Sequence, residues 1–269
     1  MEQLIKNYVY GLGLILMTFT HTTMANNLSE TQFAKNYPID NVIQLIGVYD
    51  DPYHLSIPLL ISAALGNATI YHDVHAKMTA AMQKFTQDRA KDSLSAWMYG
   101  RMLIAEKYMN EDNPNTLLKL STFLHNPDTQ NDEYKAWAYA YLASLTQKDY
   151  IATKVAMLNL ATSLTIQVKP ENISNALWVW VMIIQASASA QDKTTYDHAV
   201  DQILKIAQTK SMHTALEKIP ENDFNKWATA IVATSATKMN KSESLPTLTG
   251  DPKTADYMLA QVTYELAKQ

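Results

Sequence analysis

The chain has 269 residues, which is enough for one large domain or two small ones. It carries 22 basic and 26 acidic residues, a formal net charge of −4, and its only arginines are Arg89 and Arg101. Arginine is the side chain that best binds phosphate through two parallel hydrogen bonds, so its scarcity argues against nucleic-acid binding. The chain has no cysteine, which excludes thiol catalysis, disulfides and cysteine-based zinc sites.

The composition favours helices over strands. Only six glycines occur, and no Asn-Gly pair marks a tight hairpin turn between strands. Alanine, leucine, lysine, glutamine and methionine are abundant, and all five are good helix formers. We therefore predict an all-α fold.

The first 25 residues have the order of regions expected of a secretory signal peptide. Lys6 gives a positive charge, an apolar stretch runs from Tyr8 to Phe19, and Thr23-Met24-Ala25 is an acceptable cleavage site. The apolar stretch is shorter than the roughly 18–20 residues that a membrane span needs. We predict cleavage after Ala25 and a periplasmic or secreted mature protein; an uncleaved N-terminal anchor is the alternative.

Helical patterns follow a polar lead-in over residues 26–39. Asp40 is a suitable N-cap for a first helix, and the Asp50-Asp51-Pro52 sequence interrupts the chain. A second helix is predicted from about Ser56 to Gly66, with Pro58 in its first turn. An amphipathic helix is predicted from about residue 72 to residue 90. The most apolar later segment, residues 177–184, is too short to span a membrane, so no span is predicted in the mature chain.

A weak internal repeat follows. Tryptophan occurs early in four apolar helical segments, at Trp97, Trp137, Trp178 and Trp227, with spacings of 40, 41 and 49 residues. Second helices are predicted between them at residues 116–124, 151–166 and 196–207. Two antiparallel helices of about 15 residues with two short loops need roughly 40 residues, which is the period observed.

This pattern resembles the tetratricopeptide-type helical repeats over residues 95–239. In that superfamily the first helix of each repeat begins with tryptophan and the second ends near a proline, although the usual period is about 34 residues. The resemblance implies antiparallel hairpins stacked as an α-solenoid; an irregular helical bundle is the alternative. The predicted organisation is a signal peptide at 1–25, a lead-in at 26–39, the helical domain at 40–239, a linker at 240–252 and a capping helix within 253–269.

Histidines supply the only candidate metal ligands. His72 and His75 lie three residues apart near a predicted helix start, where both imidazoles can share one face, and His54 with Asp50-Asp51 could complete the site. The alternative is an exposed helix start with Asp73 near the positive end of the dipole.

The aromatic residues have two interpretations. Tyr134, Trp137, Tyr141 and Leu145 are spaced as one stripe along a helix, which is typical of a face packed in the core. The alternative is that this stripe lines a ligand groove.

No nucleophile elbow, phosphate loop or dinucleotide-binding motif occurs, so no catalytic residue and no cofactor are predicted. Stacked helical hairpins present an extended surface suited to partners. We predict an exported, non-catalytic protein that binds a protein or peptide. The alternatives are an exported all-α enzyme, such as a metal-dependent hydrolase using the histidines, and a secreted effector.

Overall fold

The computed structural model describes residues 42–44, 46, 50–241 and 247–267. Within these residues all regular secondary structure is helical, which confirms the all-α prediction. The predicted signal peptide, the lead-in and the Asp40 cap lie outside the described residues. Residues 42–44 and 46 are helical, as the pattern after Asp40 predicts.

Eleven α-helices follow residue 50 in the described part of the chain. They are α1 Pro52–Ala64, α2 Ala68–Phe85, α3 Asp92–Tyr108, α4 Pro114–His125, α5 Glu133–Ala143, α6 Gln147–Ile166, α7 Ile173–Ser189, α8 Lys193–Ala207, α9 Met212–Leu216, α10 Asn225–Lys238 and α11 Ala255–Ala267. Short 3-10 helices precede α3, α7 and α10, at Arg89–Lys91, Pro170–Asn172 and Glu221–Asp223.

The helices form hairpins whose first members pack side by side. Packed pairs are α1 with α2, α3 with α4, α5 with α6, α7 with α8, and α10 with α11. The first members contact one another in the order α1, α3, α5, α7, α10, and α11 packs against both α10 and α1. The row of hairpins is therefore closed into a ring, whereas an open solenoid would leave its two ends apart. We call α1, α3, α5, α7 and α10 the inner helices.

Local capping explains where the first two helices begin. The Asp51 side chain accepts the backbone N–H of His54 at 3.1 Å, so α1 starts at Pro52 and not at Ser56 as predicted. The Asn67 side chain accepts the N–H of Ile70 at 3.0 Å, so α2 starts at Ala68, before the predicted position.

Two further segments differ from the sequence-based prediction. Helix α2 ends at Phe85 and not near residue 90, and Asp88 starts a separate 3-10 turn by accepting the N–H of Ala90. The five-residue helix α9 was not predicted, because it is too short to show a period. The predicted outer helices and the C-terminal helix match α4, α6, α8 and α11 to within a few residues at each end.

Helix α7 lies at the centre of the core. It packs against α5, α6, α8 and α10, and every residue from 177 to 184 is buried. This accounts for its unbroken apolar run, because a helix that packs against four others leaves little surface for a polar face. Among the residues that the structure describes, no helix combines the length and apolar character needed to cross a membrane.

A carboxylate at the start of α8 ties the outer helices α6 and α8 together. Asp192 accepts hydrogen bonds from the Lys154 ammonium at 2.6 Å, the Tyr150 hydroxyl at 2.9 Å and the N–H and hydroxyl of Thr195. Burial raises the pKa of the Asp192 carboxyl, but these hydrogen bonds outweigh it and hold the pKa well below its ordinary value of 3.8.

Asp192→Ala is expected to lower the free energy of unfolding at pH 7 by about 1–2 kcal/mol, since it removes an N-cap and a charged hydrogen-bond acceptor. Because the unfolded carboxyl takes up a proton before the folded one, this contribution is present above pH 3.8 and is lost as the pH falls below it. Urea unfolding at pH 7 and at pH 3 measures both effects. Asp201→Ala, an exposed site on the same helix, is the control and is expected to show neither.

Candidate functional site

A cavity of about 140 Å³ lies where the five inner helices meet, and it is partly open to solvent. Eight of its thirteen lining residues are aromatic. They include the tryptophan of every repeat: Trp97, Trp137, Trp178 and Trp227. The tryptophans that mark the repeat in the sequence therefore form part of the wall of a central cavity.

The cavity is formed at one end of the helix ring. Tyr53, Trp97, Tyr134, Trp178 and Trp227 all lie in the first two turns of an inner helix. The inner helices therefore all present their N-terminal ends to the cavity. Since hairpin partners run antiparallel, every second helix of a pair leads the chain back to this end.

The aromatic rings of the wall contact one another directly. The Trp97 and Trp137 ring centroids are 4.8 Å apart, and those of Trp178 and Trp227 are 5.3 Å apart. Tyr134 packs edge-on against Trp137 at 5.2 Å. These tilted and edge-to-face arrangements are the ones that aromatic pairs prefer, so the wall is a packed structure.

The prediction that the stripe on α5 packs in the core is confirmed, because Trp137 and Tyr141 are buried in the core and Tyr134 and Leu145 pack against it. Tyr134, Trp137 and Tyr141 line the cavity, and Leu145 packs against the core away from it. Trp137 is buried, as predicted, because the cavity is enclosed by neighbouring hairpins. Helical spacing places the residues on one face but does not show whether that face meets another helix or an empty space.

Sequence reasoning missed Arg101, which is the one basic residue among the described residues that line the cavity. Its side chain is 3% exposed, its Nη1 donates to the Ser56 hydroxyl at 2.5 Å, and its guanidinium carbon lies 4.0 Å from the Trp97 ring centroid. Ser56 in turn donates to the Tyr53 carbonyl at 2.6 Å. Within the described chain, no carboxylate lies within 4.0 Å of Arg101, and its positive charge has no ionic partner there.

The neighbouring phenol does not neutralise Arg101. Burial raises the pKa of the Tyr141 hydroxyl, although the charge of Arg101 and hydrogen bonds from Arg101 and Trp97 oppose this effect. Tyr141 is therefore uncharged at neutral pH. An arginine stays protonated under the same conditions, so the positive charge of Arg101 is not offset by Tyr141.

Several polar groups of the cavity have no hydrogen-bond partner in the described protein. Seven buried side-chain atoms lack one, and three of them belong to lining residues: Arg101 Nε, Trp137 Nε1 and Ser174 Oγ. The third repeat tryptophan is different, since Trp178 Nε1 donates to the Asp223 carbonyl at 2.9 Å. Buried polar groups are almost always paired with protein, water or a ligand, so these three donors are available to a partner that enters the cavity.

One wall residue is held in an unfavourable backbone conformation. Phe224 has φ of 66°, in the left-handed region that non-glycine residues avoid, and its ring packs against Trp227. Asp256 of α11 fixes the next turn by accepting the N–H groups of Lys226 and Trp227. Such strain concentrates at functional sites, and here it places an aromatic ring at the cavity.

The predicted histidine candidates lie away from the cavity. His75 Nε2 is 2.9 Å from the buried carboxylate of Glu106, His72 is 3.6 Å from Glu111, and His54 contacts Asp51 at 2.6 Å. Both His72 and His75 lie more than a turn inside α2, since that helix starts at Ala68. The residues that the structure describes contain no group of three or more potential ligands placed to hold a metal ion. Metal binding by the histidine pair stays a prediction.

Comparison with protein-family models, with curated proteins and with solved structures gave no match.

Proposed function

We propose that this protein is a non-catalytic binding protein that works outside the cytoplasm and takes part of a peptide or protein partner into its central cavity. The observation that carries the proposal is the cavity itself, in which a wall of aromatic rings surrounds a buried arginine that has no ionic partner among the described residues. Aromatic residues and arginine are the side chains that contribute most to binding at protein interfaces.

The size of the cavity supports binding of a small part of a partner. A cavity of about 140 Å³ is far above the 10–15 Å³ that one water molecule needs, and it suits one side chain or chain end. The rest of a partner would remain outside, over the mouth of the ring. The rigid aromatic wall loses little side-chain entropy on binding, which favours affinity.

The lining residues give no support to catalysis. Among the described residues at the cavity, none is a histidine, cysteine, lysine or glutamate, and the single carboxylate belongs to Asp223. Ser174 therefore has no imidazole or ammonium at the cavity to act as its base, as nucleophilic catalysis by serine requires. Binding is the function that these residues favour.

A selection experiment tests the proposal. Wild-type protein is incubated with a synthetic library of random hexapeptides, half with a free C-terminal carboxylate and half amidated, and retained peptides are identified by mass spectrometry. We expect a defined subset to be retained. Ser174→Phe, which fills the cavity from α7, is expected to lose this subset.

Ser163→Phe is the matched control, because Ser163 is exposed on the outer helix α6. It is expected to retain the same peptides as the wild type. Circular dichroism checks that both variants are folded. Retention of the same peptides by Ser174→Phe, or of none by the wild type, would contradict the proposal.

A further inference from the structure

The geometry points to Arg101 as an anchor for a carboxylate: we infer that the cavity binds ligands in which a carboxylate is attached to an aromatic or similarly flat apolar group. This deepens the proposed function, on which it rests, by naming the chemistry of the group that enters the cavity.

Arg101 carries a positive charge at a buried position. A buried ion without a counter-ion is costly, and Arg101 keeps its charge because guanidinium groups do not lose their proton in proteins. The partners of its guanidinium in the described structure are uncharged: the Ser56 and Tyr141 hydroxyls and the Trp97 ring. Asp223, the single carboxylate of the lining, forms no ion pair with it. A ligand carboxylate would supply the counter-ion.

Three side chains of the cavity lining carry hydrogen-bond donors. Arg101 Nε, Trp137 Nε1 and Ser174 Oγ can all donate, and none has a partner in the described protein. A carboxylate has two oxygens with about four acceptor positions, so it has the capacity to accept from Arg101 and from a further donor of the lining. Only one donor carries a full charge, which favours a monoanion over a phosphate group bearing nearly two charges.

The position of the Arg101 guanidinium argues against a positively charged ligand in the cavity. Aromatic cages often bind quaternary ammonium groups through the faces of their rings. In this cavity the guanidinium of Arg101 already lies 4.0 Å from the Trp97 centroid and 5.5 Å from that of Trp227. A second positive charge would be repelled at this distance, particularly in a buried site with a low effective dielectric constant.

The other aromatic rings of the cavity wall determine which apolar group of a ligand fits beside Arg101. The rings of Trp137, Tyr134, Trp178 and Phe224 border the space beside Arg101. Flat apolar groups bury most area against such rings and can pack edge-on or offset against them. Two sources present this chemistry: the C-terminal residue of a peptide, and a free aromatic acid.

Titration with phenylacetate and with phenylacetamide, followed by tryptophan fluorescence, tests the inference in the wild-type protein. The two probes share their shape and differ in the charge. We expect phenylacetate to bind about 10–100-fold more tightly, as charged hydrogen bonds of this kind provide. Choline and inorganic phosphate are expected to bind more weakly than phenylacetate. Equal affinity for the acid and the amide, or a preference for choline, would overturn the inference.

The Arg101→Met variant gives a second readout. Replacing an unpaired buried charge with an apolar side chain of similar length is expected to leave the melting temperature of the unliganded protein unchanged or to raise it. The same variant is expected to lose the preference for phenylacetate over its amide. A variant that binds both probes as the wild type does would contradict the assignment of Arg101. Since the comparison of acid and amide uses the wild type, the test does not depend on this variant folding.

The hexapeptide library separates the two ligand sources and separates this inference from the proposed function. Enrichment of free acids over amides supports a peptide C-terminus as the ligand. Retention of acids and amides alike leaves the proposed function standing and overturns the carboxylate inference. Binding of phenylacetate with no retained peptide supports the carboxylate inference and overturns the peptide partner. If neither phenylacetate nor any free-acid peptide binds, the inference is wrong.

Discussion

Trp180→Ala is expected to lower the free energy of unfolding by about 3–5 kcal/mol, the range of large-to-small changes at fully buried aromatic positions. Trp180 is 1% exposed on the central helix α7, and its indole N–H donates to the Thr165 hydroxyl of α6 at 2.8 Å. Its ring also packs edge-on against His198 of α8. The substitution therefore removes packing among three helices and leaves a hydroxyl without its donor.

Two further variants make this measurement specific. Trp180→Phe keeps an aromatic ring in the core but removes the hydrogen bond to Thr165, so a smaller loss of about 1–2 kcal/mol is expected. Trp137→Ala is expected to cost less than Trp180→Ala, because Trp137 borders an existing cavity and its indole N–H has no hydrogen-bond partner among the described residues. Urea unfolding of the three variants gives the comparison. A loss below about 1 kcal/mol for Trp180→Ala, the scale of surface changes, would contradict the core position.

The sequence was sufficient to predict most of the helices and their packing in pairs. Scarce glycine and the 3.6-residue period are local properties, and they predicted α4, α6, α8 and α11 to within a few residues. The four repeat tryptophans occupy corresponding positions in α3, α5, α7 and α10, and all four line one cavity. Regular tryptophan spacing therefore indicated which helices lie inside, although it did not distinguish a packed core from a cavity wall.

Closure of the ring could not be predicted in the same way. It depends on contact between α11 and α1, which are separated by nearly the whole described chain. That contact is set by the small rotation from each hairpin to the next, and this rotation has no local signal in the sequence. The left-handed backbone of Phe224 has no local signal either, because phenylalanine is a residue that this conformation disfavours.

Arg101 left a signal that sequence reasoning could have used. It follows Trp97 by four residues, so the two side chains share one face of a helix whose neighbouring positions are apolar. A charged residue on a buried face needs a partner. The sequence indicated the histidine pair instead, because its spacing matches that of metal ligands. In the structure His75 contacts a buried carboxylate, Glu106.

A buried carboxylate also holds the end of the ring together. Asp256, at the start of α11, is 7% exposed and accepts the backbone N–H groups of Lys226 at 3.1 Å and Trp227 at 2.8 Å. The residue that precedes α10, Phe224, makes no capping hydrogen bond with its side chain. Asp256 thus caps α10 from a neighbouring helix, and it does so beside a tryptophan of the cavity wall.

Asp256→Ala is expected to lower the free energy of unfolding by about 2–4 kcal/mol, since two N–H groups at a helix start lose their acceptor and at least one of them is buried. Because α11 packs against both α10 and α1, loosening it is also expected to open the ring and to expose Trp227. Urea unfolding measures the first effect, and a red shift of tryptophan emission measures the second. Asp112→Ala, at an exposed site in the loop between α3 and α4, is the control and should stay within about 0.5 kcal/mol of the wild type. An Asp256→Ala variant as stable as this control would show that α10 and α11 hold together without the carboxylate, and that closure rests on apolar packing alone.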